Sequence, residues 1–276
     1  MNLLVLLEAV PDDEALLASA GALARAGGWP LRGLHVKPSA ATADLRLPAR
    51  LAGSVPVEEA VGEPVAAALA AARDDDVIAF AVRRAGERGV GCAADALFAR
   101  APQPLFVLRP GMRPLTALRR IVVPLEGSPS SSEAMRLTEE AFCRRCREIV
   151  VLHVGTVDTP DEPGSMPAPR MVDQEHYEWS SWHEEFTMRF AACPEGGRHR
   201  TVVRVGEPPA VIVDEATRLP ADLIVLAWTG VFSSGRSPYV HTLLDEAPCP
   251  LLLVPVAVPA RAARGAGGRE SAETTS

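Results

Sequence analysis

Aromatic residues are scarce in this chain, 5% of 276. Hydrophobic residues still make up 47%, so the core must be aliphatic. A core of Val, Leu, Ile and Ala suits parallel sheets covered by helices on both faces. Basic residues are outnumbered, 28 Lys and Arg against 35 Asp and Glu, a net charge of -7. That balance speaks against a nucleic-acid binder. Cysteines number five, an odd count, and show no disulfide framework. Cys143 and Cys146 form a C-x-x-C, but no second one exists to complete a zinc site. The string from Phe142 to Cys146 reads instead as a helix end. No metal site is expected from these residues.

Targeting and catalytic signals are missing too. The N-terminus lacks the basic region and cleavage site of a signal peptide, and its apolar run is far shorter than a membrane span. The expected location is the cytoplasm, with no membrane partner. There is no G-x-x-x-x-G-K-[S/T] loop and no G-x-S-x-G elbow, and Trp182-His-Glu-Glu185 is not H-E-x-x-H. The acid clusters Asp12-Asp-Glu14 and Asp74-Asp-Asp76 read as solvated helix ends, the first of them favoured at a helix N-terminus by the dipole.

What is present is a repeat. GEPVAAALAAARDDDVIAFAV from Gly62 and ALFARAPQPLFVLRP from Ala96 are answered by GEPPAVIVDEATRLPADLIVLAW from Gly206 and HTLLDEAPCPLLLVPV from His241. LRGLHVKP from Leu31 answers VVLHVGT from Val150, and MNLLVLLEAV answers RRIVVPLEGS from Arg119. The segments recur in the same order. In the second copy Ile121–Val123 is an apolar run without period, as in a buried parallel strand. Ser130-Ser-Ser-Glu133 is a capping box opening a helix to about Arg145. Strands follow at 149–154, 201–205, 223–226 and 251–254, with a proline-started helix after Gly206 and another around 241–246. Alternation of this kind implies a doubly wound parallel sheet with right-handed crossovers. Ligands of such sheets sit beyond the carboxyl ends of the strands, at the switch point.

The copies fit units of 1–112 and 118–258, a linker near Pro110–Leu118 and a disordered tail at 259–276. The second copy carries a long insert, Thr156–Arg200, whose Trp179, Trp182, Phe186 and Phe190 recur at helical spacing. That stripe reads as core or an inter-domain contact. His35 and His153 hold equal positions in the two copies and, without an acid or nucleophile partner in sequence, read as structural.

The order IVVPLEGSPSSSEAM, VLHV, GEP…ADLIVLAWTG and APCPLLLVPV resembles the universal stress protein family, over nearly the whole chain and twice. The resemblance implies two five-stranded, doubly wound parallel sheets of the adenine nucleotide alpha hydrolase-like type, arranged as an intrachain pseudo-dimer. Leu105–Leu108 and Leu251–Val254 would pair, as family members dimerise through the last strand. It also implies ATP or AMP as ligand, or none, and either a protein partner or a homodimer through the last strands.

Nucleotide-binding members carry an acid after the first strand and G-x2-G-x9-G-[S/T] after the fourth, where glycines let amides approach phosphate at a helix N-terminus. In the second copy Glu126 takes the acid position, followed by Gly127 and Ser128. Val154 matches the position whose backbone would face an adenine. Ala227 replaces the first glycine, Gly230 is retained, and the terminal pair becomes Ser237-Pro238, where proline removes an amide. Gly235-Arg236-Ser237 is an anion candidate, Arg236 being either a phosphate partner or an ordinary surface arginine. In the first copy Glu8 takes the acid position, Ala81 and Arg84 replace the early glycines, and Gly91 falls on the last. The Arg83–Gly91 loop either holds an anion through bidentate arginines or is a solvated turn. The function implied is a stress-response regulator or sensor with little or no hydrolysis. The alternative is a nucleotide-independent interaction scaffold.

Overall fold

The computed structural model describes residues 1–8, 10, 12–37, 55–82, 94–125, 129–155, 199–228 and 237–256. The tail, most of the insert with its Trp stripe, and the glycine-motif loops lie outside the described residues.

The first copy runs β1 (Asn2–Leu7), α1 (Asp12–Gly27), β2 (Leu31–Lys37), β3 (Val57–Val61), α2 (Pro64–Ala71), β4 (Asp76–Ala81), α3 (Ala94–Arg100) and β5 (Leu105–Leu108). The second runs β6 (Arg120–Pro124), α4 (Pro129–Phe142), β7 (Glu148–Gly155), β8 (His199–Val205), α5 (Pro208–Arg218), β9 (Leu223–Trp228), α6 (Ser237–Glu246) and β10 (Leu251–Pro255). The ten strands form one sheet, ordered β3-β2-β1-β4-β5-β10-β9-β6-β7-β8. Within each half every pairing is parallel. The halves join where β5 meets β10 antiparallel, with Leu251 opposite Val107, Leu252 opposite Phe106 and Leu253 opposite Leu105. The two expected five-stranded sheets are therefore the two arms of a single sheet. Its central strands are apolar on both faces because helices cover both: β1, β4, β5 and β10 are buried almost throughout.

Both GEP segments start helices for a local reason. Gly62 and Gly206 take φ of 140° and 149°, which a side chain would strain, and the prolines after them sit where the helix has no amide bond to lose. Glu63 caps α2 by accepting from the amides of Val65 at 2.9 Å and Ala66 at 2.6 Å, and those bonds hold its carboxyl below the ordinary value. Glu207 makes no such side-chain cap on α5.

Three expectations need correcting. α4 ends at Phe142 rather than at about Arg145, because the Arg145 amide reaches the Phe142 carbonyl three residues back instead of four. The acid clusters are not wholly solvated. Asp76 is fully buried, receiving Arg32 Nη2 at 2.5 Å and the Arg73 amide at 2.8 Å. Asp13 is buried at the start of α1. Nor are the last strands available to a second copy of the chain, since each is the other's antiparallel neighbour.

The linker is stitched down rather than loose. Met112, Leu115 and Leu118 are buried. The Leu115 amide donates to Ser19 Oγ at 3.0 Å, and Arg109 Nε donates to the Leu244 carbonyl at 2.6 Å. Trp228 of the second half donates its indole N–H to the Phe98 carbonyl of the first, at 2.9 Å. Lys37, the chain's only lysine, is 7% exposed and bonded to Glu59 at 2.6 Å.

Two outcomes follow for stability. Phe106→Ala, at the seam, should cost about 3–5 kcal/mol, lowering the urea midpoint for probes in both halves. An unchanged midpoint would mean the seam is not needed. Glu215 is buried on α5 between Arg204 and Arg218, each within 3.1 Å. Burial alone would raise its pKa, but the two guanidiniums take it below the ordinary 4.5. Its contribution is therefore complete above that value and lost as pH falls through the depressed one. Glu215→Gln should be less stable than the parent near neutrality, and the difference should shrink in acid.

Candidate functional site

Strand order reverses direction between β1 and β4 in the first half and between β6 and β9 in the second. Crossovers leave these strands in opposite directions, which opens a crevice beyond their carboxyl ends. In the second half this edge gathers the residue after β6, Val154 near the end of β7, Ala227 near the end of β9, and Ser237 at the start of α6. Val154 and Ala227 are half-buried, with their strands paired on both sides, so their backbone is held in register. Ser237 opens a helix of ten residues, and Pro238 falls in its first turn. Glu126, Gly127, Ser128, Gly230, Gly235 and Arg236 lie outside the described residues, as do Arg84 and Gly91 of the first half. What the fold brings together is therefore the frame of the second site: three strand ends and one helix start at one edge.

The two histidines act on this frame. His35 Nδ1–H donates to the Leu7 carbonyl at 2.9 Å, and His153 Nδ1–H to the Leu125 carbonyl at 3.0 Å. Each ties the end of the second strand of its half to the end of the first. The carbonyl accepts only, so the proton on Nδ1 is required. These are structural bonds at equal places, as the bare recurrence implied. They fix the spacing of the two strand ends that would flank a ligand.

Sequence reading missed Asp13. Its carboxylate accepts from the Glu8 amide, at 3.3 Å and 3.1 Å through its two oxygens, and from the Val10 amide at 3.2 Å. The turn that carries the acid position of the first half is thus pinned by the helix that follows it. An aspartate at the second position of a helix was a visible signal, but only the fold shows it reaching back. Lys37, also at the carboxyl end of β2, was likewise unremarked.

Chemically the edge offers backbone amides and carbonyls, a carboxylate position and a helix start. Among the described residues no group of three or more His, Cys, Asp or Glu is close enough to hold a metal ion.

The model of the universal stress protein family matches residues 117–255. Among solved structures, a universal stress protein from Archaeoglobus fulgidus is 12% identical, with 93% of this chain and 97% of that one covered at a TM-score of 0.63. A putative universal stress protein from Pseudomonas aeruginosa is also 12% identical, with 92% of each chain covered at a TM-score of 0.58. Likeness at this identity speaks to fold. A family protein from Arabidopsis thaliana with AMP bound is 17% identical over 50% of this chain and 91% of that one, at a TM-score of 0.33. No curated protein matches the chain.

Removing the Asp13 carboxylate should loosen one turn and little else. Asp13→Ala is expected to cost about 1–3 kcal/mol, the range for leaving a donor without its partner. Hydrogen exchange at the Glu8 and Val10 amides should quicken while β1 stays protected. Unaltered exchange at both amides would show that the turn is held by something else.

Proposed function

Since the chain belongs to the universal stress protein family, we propose that it is a stress-response regulator that holds ATP, AMP or a related nucleotide at the carboxyl edge of its second half, with little or no hydrolysis. The observation that carries this reading is the convergence of Val154, Ala227 and Ser237 with the end of β6 on one edge at the switch point. Glu126 would receive a ribose or adenine donor, and the Val154 backbone would face the base. Gly127, Ser128, Gly230, Gly235, Arg236 and the start of α6 would attend the phosphates. In the first half Arg84 and Gly91 are the corresponding anion candidates. Magnesium would enter only with a nucleotide, and the cytoplasm is the compartment this role implies. Among the described residues no helix is long and apolar enough to cross a membrane.

The site is poorer in phosphate donors than the family motif. Ala227 stands for a glycine, and Pro238 has no amide to give in the first turn of α6. Those two residues favour a monophosphate over a triphosphate. They also favour the second reading, an interaction scaffold with no small ligand.

Calorimetric titration with AMP and with ATP, after mass spectrometry for co-purifying nucleotide, separates the two. AMP should bind at least as tightly as ATP, with one site per chain, and Glu126→Ala should abolish the heat while Arg84→Ala leaves it. Loss through Arg84→Ala instead would move the site to the first half. No heat with either nucleotide at millimolar concentration would leave the scaffold.

A further inference from the structure

Away from the carboxyl-edge crevices, a cavity of about 810 Å³ opens where the end of α1 meets α4. Trp29 lines it from the first half, and Glu139, Cys143, Arg144 and Arg145 from the second. The junction is a built contact. The Trp29 ring lies 5.3 Å from that of Phe142, and Arg145 Nη1 donates to the Ala26 carbonyl at 3.2 Å.

Cys143 and Cys146 are both thiols and both partly exposed. The Cys143 amide donates to the Glu139 carbonyl at 3.1 Å, and the Cys146 amide to the Phe142 carbonyl at 2.9 Å. The chain therefore keeps helical hydrogen bonding for one turn beyond the end of α4. Residues three apart in such a turn have Cβ atoms about 5–6 Å apart, and a disulfide needs roughly 3.5–4.5 Å. A closure on the order of 1 Å at a helix's last turn meets that requirement.

The charge of the cavity is selective. Arg136, also on its wall, is committed to Glu133 and Glu140. Glu139 faces His199 at 3.5 Å. Arg144 and Arg145 have no carboxylate partner among the described residues, so two guanidiniums stand ready for carboxylates from outside. Cys249 offers a contrast within the chain: it is fully buried, and burial pushes its thiol up to about 12.

We propose that Cys143 and Cys146 are a redox-active dithiol whose oxidant is a small disulfide bearing carboxylates, seated in this cavity against Arg144 and Arg145. Cys143, which lines the cavity, gives its proton to solvent and attacks one sulfur of the bound disulfide. That S–S bond breaks, one thiolate leaves, and a mixed disulfide remains on Cys143. Cys146, deprotonated in turn, attacks the Cys143 sulfur, forming the 143–146 bond and releasing the second thiolate. The protein pair loses two electrons and two protons, and the small disulfide departs as two thiols.

Oxidised glutathione is the probe, applied to the full chain in mixtures with the reduced form and read by alkylation and peptide mass mapping. The expected product is a 143–146 disulfide, with Cys249 left alkylatable after unfolding. Cys146→Ser should instead retain one glutathione on Cys143. Arg144→Ala with Arg145→Ala should slow reaction with oxidised glutathione about tenfold, in keeping with loss of electrostatic attraction. The same pair should leave the rate with neutral 2-hydroxyethyl disulfide unchanged, which also guards against a misfolded variant. Absence of the 143–146 bond at every ratio would overturn the proposal, as would equal slowing with both disulfides.

Discussion

Strand β5 is four residues long and, among the described residues, carries the strand pairing that joins two arms of five strands each. Its antiparallel partner β10 meets it through Leu, Phe and Val side chains that are buried almost completely. A parallel sheet left open at this edge would expose a flat apolar strand, the arrangement that invites aggregation. Pairing the two last strands within one chain removes both edges at once. Side chains and loops brace the junction beside that pairing: Arg109 on the carbonyl of Leu244, Leu115 on Ser19, Trp228 on Phe98. Among the described residues β3 and β8 remain as edges, and both carry charged residues, Glu58 and Glu59 on one, Arg200 and Arg204 on the other.

The pseudo-symmetry is accurate in the backbone and loose in the side chains. His35 and His153 make the same bond to the same carbonyl position, and Gly62 and Gly206 share a φ that only glycine holds easily. Yet Glu63 caps its helix by side chain while Glu207 does not. Duplication therefore preserved the elements that shape the crevice and let the remaining polar contacts drift.

Much of this fold was legible in the chain. The β6 run of Ile121, Val122 and Val123, bounded by charge and by a turn, could hardly be anything but a covered strand, and the GEP segments announced two helix starts through glycine and proline. What was not legible depended on partners distant in sequence. Asp76 looked like part of a solvated acid run because nothing near it hints that Arg32, on β2, reaches it in the core. Asp13 looked like a dipole complement, and only the return of the chain after β1 makes it a clamp. At the candidate site, strand ends such as Val154 and Ala227 could be placed by repeat and resemblance. The segments carrying Glu126, Gly230 and Arg236 show no hydrophobic periodicity in the sequence from which a placement could be read.

The place of Lys37 gives the surface an unusual chemical character. The chain's one lysine is folded inward onto Glu59, so the cations that face water are guanidiniums. Guanidiniums keep their charge at any physiological pH and do not accept acyl groups as amines do. Acetyl transfer to lysine, which removes a positive charge, therefore finds no exposed side-chain amine on this chain while it stays folded.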